Sequence, residues 1–313
     1  MSPARPRVVA VVGPTASGKT GIAVEVARRV RAEVISADSR QVRREMVIGT
    51  AAPTAEEQAA VPHHLVGVVA PDATWNLTAW LDRARPLISE ISERGALPLI
   101  VGGTGQYAWA LLEGWDVPAV PPQPEFRGRL EARAAAGEGP ALYEELREVD
   151  PASAERIDPR NSRRVIRALE IVHATGKPVP PLTPRDPGFD WHVVGVRWSR
   201  EAIHERADRR VVAMFEAGLV DEVRSLVERH GRAFDALRSI GYREALAVLD
   251  GSMSVEDAIR QTQIETHRLI RMQANWFRED DPRIEWVDGA DLEGAVEAVV
   301  RAAGAVVGGD AAP

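Results

Sequence analysis

The sequence predicts an α/β protein in which helices flank a parallel sheet and a helical domain is inserted into the chain. First, residues 8–12 form a wholly apolar, mostly β-branched run, typical of a strand buried on both faces of a parallel sheet. Second, further strand-like runs alternate with stretches of helical period. Third, between residues 118 and 188 proline clusters enclose a stretch rich in alanine, glutamate and arginine, which indicates a helical insertion.

The elements can be placed in order along the chain. A glycine-containing loop follows the first strand and leads to a helix at residues 20–30, where Ile22, Val26 and Val30 recur at four-residue spacing. From residue 200 onward the pattern is helical, and we expect the tail after about residue 299 to be frayed. The other expected elements are strands at residues 32–36, 97–101 and 192–198, and a helix at residues 75–94.

The proline clusters set the expected domain boundaries. Prolines concentrate at residues 118–124 and again at residues 178–187, as is usual for linkers. We therefore expect residues 1–117 and 189–313 to form one core and residues 118–188 to form the inserted helical domain.

The composition excludes several classes of protein. With 45% apolar and 27% charged residues, the chain has the balance of a soluble globular protein. It contains no cysteine, which excludes disulfides and thiolate zinc sites, and the pair His63-His64 has no spacing partner for a metal. No apolar run could span a bilayer and no secretory signal is visible, so we expect a cytoplasmic protein that binds no membrane. The net charge of −7 argues against non-specific nucleic-acid binding.

The strongest motif is a P-loop. Residues 13–20 read GPTASGKT and match G-x-x-x-x-G-K-[ST], with a strand before and a helix after. Glycines let backbone N–H groups turn toward a phosphate, the helix N-terminus adds a positive dipole, and Lys19 adds a charge. The Thr20 hydroxyl can hold Mg²⁺. The motif predicts a P-loop NTPase-like sheet and a phosphate ligand, without identifying the compound.

Two other strand ends carry polar groups toward the same crevice. Asp38 follows the second strand and could ligate magnesium, act as a general base, or cap a helix. Thr104 lies among glycines after the third strand, where the backbone can approach a ligand closely. Because ligands of such sheets bind beyond the carboxyl ends of strands, we expect these groups to converge with the P-loop.

Arginines form two clusters. Arg160, Arg163, Arg164 and Arg167 lie within eight residues, and on a helix they would form a basic stripe suited to a phosphate backbone. A solvated face with intramolecular ion pairs is the alternative. The second cluster, whose members could reach a diphosphate or pair with nearby acids, contains Arg206, Arg209 and Arg210.

An ordered series of blocks resembles the tRNA dimethylallyltransferase family. The blocks cover about nine tenths of the chain. They are GPTASGKT at residues 13–20, DSRQV at 38–42, IGTAAP at 48–53, PHHL at 62–65, GGTGQY at 102–107, ALLEG at 110–114, VDPASAERIDPRNSRRVIRALEI at 149–171, SIGYRE at 239–244 and WFR at 276–278.

The resemblance implies that dimethylallyl diphosphate donates its five-carbon group to N6 of adenosine-37 in the tRNA anticodon stem-loop and releases diphosphate. It implies Mg²⁺ as cofactor, held by Thr20, and a flipped-out target base. We expect a monomer. By the resemblance the catalytic residues are Asp38, Thr20 and Arg210. The diphosphate would be bound by Gly13, Thr15, Ala16, Ser17, Gly18, Lys19, Thr20 and Arg210. The tRNA would contact Asp38, Ser39, Arg40, Gln41, Thr104, Arg127, Arg163, Arg164, Arg167, Arg238, Gly241, Tyr242 and Arg243.

The chain departs from the family at a few positions, and other activities compete with the one implied. Arg43 stands where tyrosine is common and Ala52 where lysine is common, and the run before WFR includes Met272. These departures bear on tRNA contacts, because they leave the P-loop and Asp38 intact. The competing functions are prenylation of free adenine nucleotides, a small-molecule P-loop kinase and a non-catalytic phosphate-binding module.

Overall fold

The computed structural model describes residues 5–121 and 123–304. Within them six strands form one fully parallel sheet, in the spatial order β3-β2-β4-β1-β5-β6. The strands are β1 (Arg7–Val12), β2 (Ala32–Ser36), β3 (His63–His64), β4 (Leu97–Gly102), β5 (Asp190–Arg197) and β6 (Ile284–Asp288).

Helices make up most of the remaining described chain. They are α1 (Lys19–Ala27), α2 (Ala55–Ala60), α3 (Leu77–Glu93), α4 (Gly105–Leu112), α5 (Pro124–Ala135), α6 (Gly139–Val149), α7 (Pro151–Arg156), α8 (Ser162–Thr175), α9 (Arg200–Glu216), α10 (Leu219–His230), α11 (Tyr242–Leu249), α12 (Val255–Ala274) and α13 (Leu292–Gly304), with a 3₁₀ turn at Asp235–Arg238.

The central strand β1 is buried on both faces. Val9 and Val11 pack with apolar residues of α1 and α13, while the alternate residues of the strand face the opposite layer of α3 and α4. Both sets are fully buried, and this explains why the sequence shows a continuous apolar run without alternation. β4 and β5 flank β1 in parallel register, with Val12 opposite Gly102 and Gly195.

A second apolar cluster holds the helices that follow β5. Helices α9, α10 and α11 bury a set of side chains around Phe215, Leu219 and Tyr242. Serines fix where two long helices begin: Ser199 accepts a hydrogen bond from the N–H of Ala202 at the start of α9, and Ser254 caps α12 in the same way.

The chain divides into two compact units, one up to Gly114 and from Asp186 onward, the other Trp115–Arg185. The second unit contains the four helices α5 to α8 around a core of Leu130, Leu142 and Leu146, and no strand among its described residues. The inserted domain expected from sequence, residues 118–188, begins and ends three residues later than this unit.

The predicted fold class is confirmed, with corrections to individual elements. Two strands were missed: β3 is too short for a periodic pattern, and β6 interrupts the region expected to be wholly helical. The expectation of a frayed tail is wrong as far as residue 304, because α13 continues to there, and its remainder lies outside the described residues. Within residues 5–121 and 123–304 no helix is long and apolar enough to cross a membrane.

Candidate active site

Three loops meet at the carboxyl edge of the sheet. β2, β4 and β1 are neighbours, and the loops that follow them line one cavity of about 780 Å³. Of the residues predicted to bind diphosphate or tRNA, those lining this cavity are Thr15, Ala16, Ser17, Gly18, Lys19, Thr20, Asp38, Ser39, Arg40, Gln41, Thr104, Arg210 and Gly241. The predicted convergence of the P-loop, Asp38 and Thr104 is thus present.

The P-loop adopts a backbone that its sequence favours. Gly13 and Gly18 have φ angles of 151° and 93°, a region that residues with a side chain rarely occupy. A Cβ on Gly13 would lie only 2.8 Å from the carbonyl oxygen of Val196, so the loop can approach β5 only with glycine there. Gly18 is the N-cap of α1, and no side chain caps it. The helix therefore keeps unpaired N–H groups for an anion.

Lys19 and Arg210 concentrate positive charge over the loop. The Lys19 ammonium donates to the Pro14 carbonyl oxygen at 2.6 Å and to Ser17 Oγ at 3.3 Å. Burial, with a smaller contribution from the charge of Arg210, lowers the pKa of Lys19 to about 7, although Asp38 acts in the opposite direction. Burial likewise lowers the pKa of Arg210, whose Nη1 lies 3.5 Å from Thr15 Oγ1. A bound diphosphate would offset both costs.

Asp38 divides its two carboxylate oxygens between structure and the cavity. Oδ1 accepts hydrogen bonds from the N–H groups of Arg40 at 2.8 Å and Gln41 at 3.3 Å, which holds the turn after β2. Oδ2 accepts none from the described residues. The alternative that Asp38 caps a helix is wrong, because no helix begins directly after it and it holds a turn instead. This role leaves one oxygen for a substrate amine or a cation.

Thr104 connects the loops after β2 and β4. Its Oγ1 accepts the N–H of Ser39 at 3.1 Å, and its own N–H donates to the carbonyl oxygen of Ala37 at 3.1 Å. A Cβ on Gly102 would lie 2.1 Å from that same carbonyl oxygen, so this approach needs glycine. The contacts fix Thr104 beside Asp38 at the cavity wall.

Two neighbours of Asp38 use their side chains to hold other loops. Gln41 donates from Nε2 to the carbonyl oxygen of Ala51 at 3.0 Å, so its amide supports the loop that contains Ala52. Arg43 donates to the carbonyl oxygens of Pro71 at 2.6 Å and Ala73 at 2.9 Å. The arginine that replaces the family's usual tyrosine therefore has a structural task on the loop after residue 69.

The residues predicted to contact tRNA at positions 238–243 have different environments. Gly241 lines the cavity, and Arg238 is 87% exposed. Arg243 pairs with Glu244 and Glu265. The Tyr242 side chain is fully buried and its hydroxyl donates to Glu222 at 2.6 Å, so its ring faces the protein interior, and the predicted contact of Tyr242 with tRNA stays a prediction. Glu222 also accepts hydrogen bonds from the backbone N–H groups of residues 47–49. Tyr242 therefore stabilises this loop through Glu222.

The basic stripe is shorter than the sequence predicts. Helix α8 begins at Ser162, so Arg160 lies outside it and pairs with Asp158 instead. Arg167 and the predicted tRNA contact Arg127 both bind the buried carboxylate of Glu170, each at 2.5 Å. For Arg160 and Arg167 of the predicted stripe the ion-pair alternative is therefore the one observed.

Arg163 and Arg164 remain as exposed cations in the first turn of α8. Neither has an ion-pair partner among the described residues of their unit, and the first turn contains no acid. Cations at a helix N-terminus are unfavourable for the helix itself, so stability does not account for their position.

Three further residues contact the P-loop, and of these only Arg206, in the second arginine cluster, was expected to reach a diphosphate. Gln273 accepts the N–H of Thr15 at 2.8 Å and donates to the carbonyl oxygen of Gly103 at 3.0 Å, which connects the loops after β1 and β4. Trp198 and Arg206 donate to carbonyl oxygens of the same P-loop. The sequence pointed to Arg206 alone among these three residues. It lies four residues from Arg210, and residues four apart share a helix face.

The donor set suits magnesium shared with a phosphate. The described residues contain no cluster of three histidines or carboxylates able to hold a metal. The cavity nevertheless contains the Thr20 hydroxyl and the Asp38 carboxylate, and Mg²⁺ commonly binds one or two such groups together with phosphate oxygens and water. His63 contacts the carbonyl oxygen of Val61 and His64 contacts the carboxylate of Glu33, so both rings have structural partners.

Comparisons with known proteins agree on one family. The sequence profile of the IPP transferase family matches residues 41–280, and that of isopentenyl transferase matches residues 6–63. A tRNA dimethylallyltransferase of Roseiflexus sp. (strain RS-1) is 43% identical over 299 residues, with 94% of this chain and 97% of the relative covered. Another, of Chloroflexus aurantiacus, is 46% identical over 274 residues, with 87% and 92% covered.

Solved structures resemble the chain over nearly its whole length. The tRNA isopentenylpyrophosphate transferase of Bacillus halodurans has a TM-score of 0.70 at 37% identity, with 95% of this chain and 97% of that chain covered. A eukaryotic dimethylallyltransferase acting on tRNA has a TM-score of 0.78 at 25% identity, with 96% and 78% covered. The match of a family profile to more than half the chain, the level of identity and the shared fold lead to one conclusion: this chain belongs to the IPP transferase family.

Proposed function

We propose that the protein transfers the dimethylallyl group from dimethylallyl diphosphate to N6 of adenosine-37 in tRNA, releasing diphosphate. The observation that carries this proposal is the convergence of a P-loop, the free oxygen of Asp38 and Thr104 on one cavity. The named relatives are transferases for tRNA, which favours this acceptor over a free adenine nucleotide.

The P-loop binds the leaving group. When the bond between C1 of the donor and the diphosphate oxygen breaks, negative charge grows on that oxygen. The N–H groups at the start of α1, the ammonium of Lys19 and the guanidinium of Arg210 are already directed at this region, so little reorganisation is needed as the charge develops. Thr15 and Ser17 complete the cradle.

Asp38 prepares the acceptor. The amine N6 forms the new bond to C1 and must lose a proton, which Oδ2 of Asp38 can accept because Oδ1 is held by backbone N–H groups. Thr104, fixed to Ser39, lies beside it and can orient the amine.

Magnesium would be held by the Thr20 hydroxyl, the donor's phosphate oxygens and water, and it would supply charge neutralisation for the departing diphosphate. In the first unit Arg40 and Gly241 line the cavity, and Arg238 is exposed and close to Gly241 in sequence. In the second unit Arg163 and Arg164 are free to bind phosphates of the anticodon stem-loop.

Mass spectrometry of tRNA tests the proposal directly. Purified protein, magnesium, dimethylallyl diphosphate and unmodified tRNA are incubated together, and the tRNA is digested to nucleosides. We expect one added five-carbon unit on adenosine-37 and one released diphosphate. Asp38→Asn serves as the matched control, since its amide oxygen can still accept the N–H groups of Arg40 and Gln41 while the proton acceptor is lost, and it should abolish the product.

Other outcomes would favour a different activity. Modification of AMP without modification of an anticodon stem-loop would identify a free-nucleotide enzyme, and ATP turnover dependent on Lys19 without prenyl transfer would identify a kinase. Retention of full activity by Asp38→Asn would contradict the role of its carboxylate. The cytoplasmic location and the monomeric state stay predictions, testable by fractionation and by light scattering.

A further inference from the structure

Arg206 of α9 lies beside the P-loop in a fixed orientation. Its Nε donates to the carbonyl oxygen of Ala16 at 3.0 Å, and its guanidinium carbon lies 4.2 Å from the ring centroid of Trp198. The indole N–H of Trp198 in turn donates to the carbonyl oxygen of Ser17 at 3.0 Å. The carbonyl oxygens of Ala16 and Ser17 are therefore engaged by these two side chains and not directed at the ligand. Packing against the indole face fixes the orientation of the Arg206 guanidinium.

Most of this guanidinium has no protein partner. Only Nε forms a hydrogen bond, and no carboxylate among residues 5–121 and 123–304 lies within ion-pair distance of Arg206. The neighbouring Arg209 differs, since it pairs with Glu205 on the same helix. A cation that lines a cavity and lacks an acid is an uncommon arrangement unless an anion completes it.

The free end of Arg206 lies at the N-terminus of α1. A Cβ built on Gly18 would lie 3.7 Å from Nη2, and Gly18 is the N-cap of that helix, where no side chain forms a capping hydrogen bond. Arg210, one turn along α9, contacts the same loop through Thr15. Both guanidinium groups therefore lie against the P-loop.

We propose that Arg206 is a direct ligand of the diphosphate, oriented for this contact by Trp198. The Nη1 and Nη2 groups would donate to oxygens of the phosphate seated on the start of α1, while Arg210 and Lys19 bind other oxygens of the diphosphate. This inference rests on the proposed function only in the identity of the ligand, because any diphosphate on the P-loop would meet the same groups.

The test measures binding of inorganic diphosphate with magnesium by calorimetry, which needs no transfer reaction. We expect Arg206→Ala to weaken binding about tenfold or more, the loss of one or two charge-assisted hydrogen bonds. Arg206→Lys should recover little, since an ammonium can neither stack on Trp198 nor present a fork. Arg200→Ala is the matched control: Arg200 is an exposed arginine on the same helix that does not line the cavity, and its loss should change nothing.

Chemical rescue separates a direct ligand from a residue that only supports the loop. Guanidinium ions at sub-denaturing concentration should restore diphosphate affinity to Arg206→Ala and leave the unsubstituted protein unchanged. If rescue fails, Arg206 merely holds the P-loop and the proposal is wrong. It is equally wrong if Arg206→Ala or Arg206→Lys binds diphosphate as tightly as the unsubstituted protein. Diphosphate binding that depends on Arg206, without prenyl transfer to tRNA, would overturn the proposed function and leave this inference intact.

Discussion

The proton of Lys19 should control how tightly the protein binds its donor. In the free protein, burial and the charge of Arg210 lower the pKa of this ammonium to about 7. A diphosphate placed over the P-loop would favour the charged form and raise that pKa. Because the pKa of Lys19 is higher in the complex than in the free protein, its charge contributes fully to donor affinity below pH 7. It declines as pH rises toward the pKa of the complex.

The size of the effect follows from the pKa of the free protein. About half of Lys19 carries its proton near pH 7, and roughly 3% does so at pH 8.5. If the pKa in the complex lies above this range, affinity should fall roughly 15-fold between the two pH values, or about 1.6 kcal/mol. The same change also ionises the donor's terminal phosphate, whose pKa is about 6, and this opposes the decline slightly.

The protein is titrated with dimethylallyl diphosphate in a calorimeter, in buffers of different ionisation enthalpy. These titrations measure both the affinity for the donor and the number of protons that the complex takes up. At pH 8.5 we expect the unsubstituted protein to take up most of one proton. Lys19→Met provides the control, since it should bind diphosphate weakly, take up no proton at this site and lose the pH-dependent decline. An unsubstituted protein with constant affinity from pH 7 to pH 8.5, or a Lys19→Met variant with the same decline, would refute the reasoning.

Three further predictions concern other parts of the molecule. Asp38→Asn, which keeps an oxygen for the turn after β2, should slow the chemical step about 100-fold or more and lower tRNA affinity far less. Single-turnover rates give the first quantity and filter binding the second, and an equal loss in both would argue against a general base. Replacement of Arg163 and Arg164 by alanine should reduce the slope of log affinity for tRNA against log salt by roughly one for each phosphate that is no longer neutralised, and an unchanged slope would remove them from the interface. Tyr242→Phe should lower the free energy of unfolding by about 1 to 2 kcal/mol in denaturant titrations, because the substitution removes the buried hydroxyl that binds Glu222; a stability equal to that of the parent would contradict this account.

The sequence alone predicted the P-loop, the parallel sheet and the convergence of three strand ends, because each depends on local patterns. The continuous apolar run of β1 follows from burial on both faces, and the glycines at 13 and 18 follow from backbone angles that only they adopt readily. Since carboxyl ends of neighbouring parallel strands share one edge, the meeting of Asp38 and Thr104 could be inferred from position.

Only the tertiary structure showed which arginines have no ion-pair partner among the described residues. Arg127 binds the carboxylate of Glu170, which lies 43 residues away in the chain, whereas Arg206 binds only a carbonyl oxygen within the part of the chain that the structure describes. The sequence around each arginine does not reveal this difference. Ion pairing depends on distances between side chains that are remote in sequence, and on burial that sets how much an unpaired charge costs. For the same reason only the folded chain showed that Gln273 and Trp198 hold the P-loop.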